Sequence, residues 1–356
     1  MVTKWSDITN TAKQEVPLGT FWSGDWSAPE NDLYVSTTGR DRLEMLRQST
    51  YSTSEVQINK TLYQLAEIIF ADAGLESSEY WVDTELQEYT VPYSYFIPQS
   101  HREALRKIAE ACLGQVYTDR GGIIRIEGPS YLASKTTADI EITQDDYFSK
   151  DNPVKWSQIA NYIEVETQPL RPDALQEVYR SNDTVSINAG QTKTITAYYN
   201  STPCIDAVAS LEGETTGVTI QSSTYYSWGA TIKVTSTVTG TFVLVIDAKP
   251  LKVLNKEKAI AQDSDSMTDN GKIKYTFPNN PLVQTIAVAQ TIADNLLAYY
   301  KNPRRDVEVD WRGNPALLLG DRVSLTDNNE QNDYYAVKQE LEYDGSLRAK
   351  MSGRRV

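Results

Sequence analysis

Between residues 169 and 250 the chain alternates short runs of Thr, Ser, Val, Ile and Tyr, and no other feature limits its fold as strongly. The runs at 184–187, 192–199, 217–220, 231–234 and 241–246 recur about every 10 residues, with Gly or Asn at the breaks. A period of two makes each run a strand with one face inward, and several in succession describe a compact β-sandwich. Pro169 and Pro250 border the block, which therefore reads as an insertion with its own core.

The flanks read differently. At 356 residues the chain has room for two to four domains of about 100 residues each. Residues 14–46 alternate in strand fashion, and the polar turn Pro29-Glu30-Asn31-Asp32 joins two β-branched and aromatic runs into a hairpin. Leu62, Leu65, Ala66, Ile69 and Ala73 share one face of a helix that Gly74 stops. Ser100-His101-Arg102-Glu103 is a capping box ahead of Leu105, Ile108, Ala109 and Cys112, a second amphipathic helix. Gly121-Gly122 then turns a hairpin between 115–119 and 123–127. A third helix is expected from Asn280 as cap and Pro281 in the first turn, with Leu282, Ile286, Ala289, Ala293 and Leu296 as its stripe. That stripe is expected to pack inside the C-terminal β-domain, whose strands follow at 307–311, 322–325, 334–337 and 346–350. Residues 33–40 and 347–354 are weakly similar, each a strand running into a Thr/Ser-Gly-Arg corner.

Charge and composition exclude several function classes. A net charge of −14 repels phosphate backbones, so general nucleic-acid binding is not expected. No window approaches the roughly 20 apolar residues of a membrane span. The start Met-Val-Thr-Lys-Trp lacks a secretory apolar core. His101, Cys112 and Cys204 are too few for the common zinc sites, and each cysteine has apolar neighbours, as a small buried hydrophobe would. Tyrosine, at 22 residues, and 7 tryptophans suggest contact surface.

Catalysis finds no anchor. A Ser or Cys nucleophile would need His101, which the capping box puts at a helix start and hence toward solvent. Asp145-Asp146 and Glu164 with Glu166 are the paired carboxylates available, and solvated turns and strand faces account for them. The run from Asp263 has Thr268 where a calcium loop needs glycine and Lys274 where it needs glutamate, so residues 263–271 read as a polar loop. Residues 327–333 read as a hairpin tip, and Gly121-Gly122 is followed by no phosphate-loop lysine. The sequence therefore assigns no catalytic, metal or cofactor residue.

Three stretches resemble the tail-hub family of phages and prophages, the central platform of the baseplate. They are Val16-Pro17-Leu18-Gly19-Thr20-Phe21-Trp22 with the following 33–43; the helix at 62–74 with Tyr95-Phe96-Ile97-Pro98, the capped helix and the Gly121-Gly122 hairpin; and Asn280-Pro281-Leu282 with its helix, then Trp311-Arg312-Gly313-Asn314-Pro315 running to Gly320-Asp321-Arg322-Val323. The resemblance covers residues 14–165 and 255–356 and skips the sandwich. It implies two tube-type, barrel-like β-domains that assemble as a homotrimer into a pseudo-sixfold ring continuing the tail tube, in contact with other tail and baseplate proteins in the virion.

The expected architecture is thus a β-rich, multidomain α+β chain. Residues 1–50 form a first tube-type domain, incomplete at its N-terminus beside the family; 51–140 form a small α+β domain; 141–168 with 255–356 form the second tube-type domain with the long helix; 169–254 form the inserted Ig-like sandwich. The expected function is structural and non-enzymatic, without cofactor, stable membrane insertion or general nucleic-acid binding. The alternative is a secreted or surface carbohydrate-binding protein presenting Tyr225-Tyr226-Ser227-Trp228.

Overall fold

A computed structural model describes residues 2–5, 13–28, 30, 35–213, 216–327 and 330–356. The protein is β-rich α+β, with three separate buried clusters. Among the described residues no helix is long and apolar enough to cross a membrane.

The expected hairpin pairs Trp22–Ser27 with Ser36–Arg40 and is almost wholly exposed, whereas Lys13–Val16 pairs with Val2–Trp5. Leu33, Tyr34 and most of the expected turn lie outside the described residues. The strand reading of 14–46 fails at its end, where Arg42–Gln48 is helix α1. Asp41 caps it by accepting from the Glu44 N–H at 3.0 Å, and Leu43 and Leu46, one turn apart, are its buried side.

Helix α2 (Leu62–Asp72) starts from a full capping box of Thr61 and Gln64 and ends before Gly74, whose φ of +73° a side chain would strain. In α3 (His101–Cys112) only half of the box forms. The Ser100 hydroxyl accepts from the Glu103 N–H at 3.2 Å, while the Glu103 carboxylate pairs with Arg106 instead. Gln115–Thr118 and Ile124–Glu127 make the expected hairpin, and Tyr80–Val82 adds in parallel to its second strand.

Residues 263–271 are not a loop. Asp263 caps helix α4 (Ser264–Asn270) by accepting from the Ser266 N–H, and its other oxygen holds Lys301 at 3.0 Å. Helix α5 is Ile286–Tyr300 and begins later than the proline signal suggests. Thr285 caps it; the Asn280 amide instead donates to the Lys107 carbonyl of α3. Its stripe also shifts. Ala289, Ile292 and Ala293 are buried, Leu296 is half-buried, and Ile286 is 43% exposed.

That buried face does not pack among the C-terminal strands, as the sequence suggested. It lies in one cluster with α2, α3 and the sheet of Lys258–Gln262, Tyr162–Glu166 and Lys274–Thr276. Ile163, Val165, Ala259 and Ala261 alternate inward on the two strands that meet the helix, which gives a flat surface for its alanines.

A second cluster sits between two antiparallel sheets. Gly240–Val253 anchors one, pairing with Leu170–Pro172, Gln176–Arg180, Val185–Ile187 and Cys204–Glu212. The other orders Thr192–Tyr198, Gly229–Ser236 and Val218–Tyr225. The third cluster belongs to a six-stranded sheet in the order Ile140–Ile142, Arg322–Asp327, Glu330–Tyr343, Leu347–Arg355, Val307–Trp311, Tyr147–Asp151. Its strand Leu347–Arg355 runs straight through the expected Ser-Gly-Arg corner. A Cβ on Gly353 would lie 2.8 Å from Val307 Cγ1, so the glycine serves close packing there.

Candidate functional site: two joints between the cores

His101 is 3% exposed, against the solvent-facing placement read from its helix position. Its Nδ1 lies 2.8 Å from Ser49 Oγ and its Nε2 2.9 Å from Asp72 Oδ2. With a proton on Nε2, the ring donates to Asp72 and accepts from Ser49, which stitches the end of α1 to the end of α2 across the start of α3. The residues are those of a nucleophilic triad. However, neither cavity described below reaches them, and the Ser49 hydroxyl has a second acceptor in the Leu46 carbonyl at 3.3 Å.

The carboxylate pairs are engaged elsewhere. Asp146 accepts from the Thr143 amide and hydroxyl at 2.9 and 2.7 Å. Lys274 sits 2.7 Å from Glu164 and Lys256 2.8 Å from Glu166, and these ammonium groups hold both carboxyls below the usual carboxylate range. A general acid needs the opposite displacement. Strands Arg322–Asp327 and Glu330–Tyr343 do form the hairpin whose tip was expected, with Asn328 and Asn329 outside the described residues. Cys112 and Cys204 are both free and buried, and they belong to different clusters. Burial pushes each thiol up to about 12. Among the described residues no group of three or more His, Cys, Asp or Glu is placed to hold a metal.

What the fold assembles is a pair of joints. At the first, the Arg120 guanidinium, next to the Gly121-Gly122 turn, donates to the carbonyls of Pro17 at 3.3 Å, Leu317 at 2.5 Å and Pro315. The Thr20 hydroxyl donates back to the Arg120 carbonyl at 3.1 Å. Gly122, with φ +80°, lets Thr20 approach; a Cβ there would stand 3.0 Å from the Thr20 Cβ. The N-terminal Pro-Leu-Gly segment, the Gly-Gly hairpin and the Asn-Pro turn, far apart in sequence, thus meet around one side chain. Beside it opens a cavity of about 530 Å³, lined in part by Leu18, Phe21, Leu318 and Leu319, which are 36–62% exposed.

The second joint fastens the two-sheet unit to the α+β core through Tyr225-Tyr226-Ser227-Trp228. Ser227 is buried; its amide donates to the Ser54 carbonyl at 2.8 Å and its hydroxyl to that of Phe96 at 3.2 Å. The Trp228 indole donates to the Ser52 carbonyl at 2.8 Å. The segment is therefore partly built into the molecule, not wholly displayed as the carbohydrate reading required. Sequence reasoning missed both joints. Their partners lie 100 to 197 residues away at the first and 131 to 176 at the second, where no local pattern signals them.

Two solved structures share this fold over nearly the whole chain. One is the 43 kDa tail protein of prophage MuSo2 from Shewanella oneidensis, with 15% identity and a TM-score of 0.54 over 98% of this chain and 81% of that one. The other is the tail protein from Neisseria meningitidis MC58, with 10% identity and a TM-score of 0.55 over 95% of this chain and 80% of that one. The fold is therefore one found in phage and prophage tail proteins. The sequence matches no family model and no curated protein.

Proposed function

We propose that this chain is a structural component of a phage, prophage or phage-derived tail, the hub at the tail tip, and that it works as a homotrimeric platform bound to other tail and baseplate proteins. The observation that carries the reading is fold likeness to two tail proteins along almost the full length of the chain. In this reading the exposed hairpin and the six-stranded sheet belong to two tube-type domains, and the two-sheet unit is an inserted β-sandwich. An isolated two-stranded hairpin is marginal in water, and Trp26 in this one is 65% exposed, which supports a role for it in assembly. The protein acts without catalysis, so a serine-directed fluorophosphonate leaves Ser49 unlabelled. Mass in solution by light scattering tests the platform directly. Three protomers are expected; a chain that stays monomeric at every concentration overturns it.

A further inference from the structure

Where the two-sheet unit meets the segment 55–58, an open cleft of about 410 Å³ is lined by Glu55, Asp206, Ser223, Thr224, Tyr225 and Tyr226 among others. We propose that this cleft binds a neutral saccharide.

A sugar ring presents an apolar C–H face and a rim of hydroxyls. It is recognised by an aromatic ring already held in place, with acceptors and donors at that ring's edge. Tyr226 meets the first demand. It stacks on Trp228 with ring centres 5.3 Å apart and planes 10° apart, and Tyr198 lies against the same indole at 5.2 Å. The indole is anchored in turn by its bond to Ser52. Tyr226 is thus the end of a braced row of three rings, and little side-chain freedom is left to lose on binding.

The cleft's polar groups meet the second demand. Glu55 is exposed and, among the described residues, has no ion-pair partner. Asp206 is held by Lys249 at 2.9 Å, which leaves its other oxygen to accept. The Ser223 hydroxyl both accepts and donates. Two carboxylates in the cleft, on a chain of net charge −14, disfavour anionic polysaccharides and nucleic acid, so among saccharides the uncharged ones fit.

The test is calorimetric titration of the full chain with chitotetraose, cellotetraose and maltotetraose, with hyaluronate as the anionic control. At least one neutral oligosaccharide binds and hyaluronate does not. Tyr226→Ala weakens that binding roughly tenfold, as expected for loss of an aromatic anchor. Because that change also disturbs the joint, Glu55→Gln serves as a second variant; it keeps the side-chain shape at an exposed site and weakens binding without moving the melting temperature. Absence of heat with all three neutral probes at millimolar concentration overturns the proposal, as does binding that neither substitution alters. The proposal is independent of the assembly reading, since protomer mass is read separately and neither residue lies at the Arg120 joint.

Discussion

Arg120 holds carbonyls from two segments nearly three hundred residues apart in the chain, and only a planar fork of donors does this from one position. Bonds from a charged donor contribute about 1.5–3 kcal/mol each, though not additively. Arg120→Ala is expected to speed amide hydrogen exchange around residues 18–20 and 316–318 while α2 and α3 keep their protection. Unchanged exchange at both segments would show that the clamp holds nothing. The cysteines give a prediction in pH. Their thiols ordinarily titrate at 9.0, and burial raises both to about 12. Below about pH 9 folded and unfolded chains both keep these protons, so the thiols' contribution is fully present. Between about 9 and 12 the unfolded chain releases them first, and stability falls as pH rises. Urea midpoints should therefore drop across that window, and Cys112→Ala with Cys204→Ala should flatten the drop. A slope that survives both substitutions assigns the effect to other groups.

Among the elements, α5 has the clearest consequence. Ile292 is 1% exposed in the cluster shared with α2 and α3, whereas Leu296 on the same helix is only half-buried. Ile292→Ala should cost about 2–5 kcal/mol and Leu296→Ala clearly less, measured by urea unfolding. Exchange protection of α2 and α3 should fall with the Ile292 variant and that of the six-stranded sheet should not; the reverse would return α5 to the C-terminal domain. The sequence made this helix visible because its apolar residues step by three and four. It did not reveal the partner, since an alanine-rich stripe suits any flat sheet and two sheets were available. Likewise the Gly121-Gly122 hairpin was legible from local turn chemistry, and the strands at 192–198 and 229–236 from their alternation. The burial of His101 was not, because Ser49 and Asp72 are 52 and 29 residues away. Helix α1 was obscured by a hairpin pattern running into it, although Asp41 with Leu43 and Leu46 supplied a cap and a one-turn apolar step.

At the scale of the whole molecule, the two-sheet unit is attached in a way that makes it separable. Its first strand, Leu170–Pro172, pairs antiparallel with the end of its last, Leu170 opposite Val253, so the chain enters and leaves at neighbouring points. Its core of Val178, Ile187, Ile232, Val234, Leu244 and Ile246 is a cluster distinct from the other two. Hydrogen bonds from Ser227 and Trp228 to Ser52, Ser54 and Phe96 cross to the α+β core, beside the cleft shared with residues 55–58. Replacing residues 169–254 by a short Gly-Ser linker should therefore leave the rest of the fold intact and the mass in solution unchanged, because the exposed hairpin, the Arg120 joint and the six-stranded sheet all lie outside that unit. Removed along with it are Asp206, Ser223, Thr224, Tyr225 and Tyr226, so saccharide binding should vanish. The complementary fragment, residues 169–254 alone, should give a dispersed amide spectrum, since alternation across two sheets closes its core without help. Light scattering on the shortened chain decides the division of labour: protomers that assemble as before separate platform from insertion, while a folded chain that loses its assembly places the subunit contact on the two-sheet unit itself.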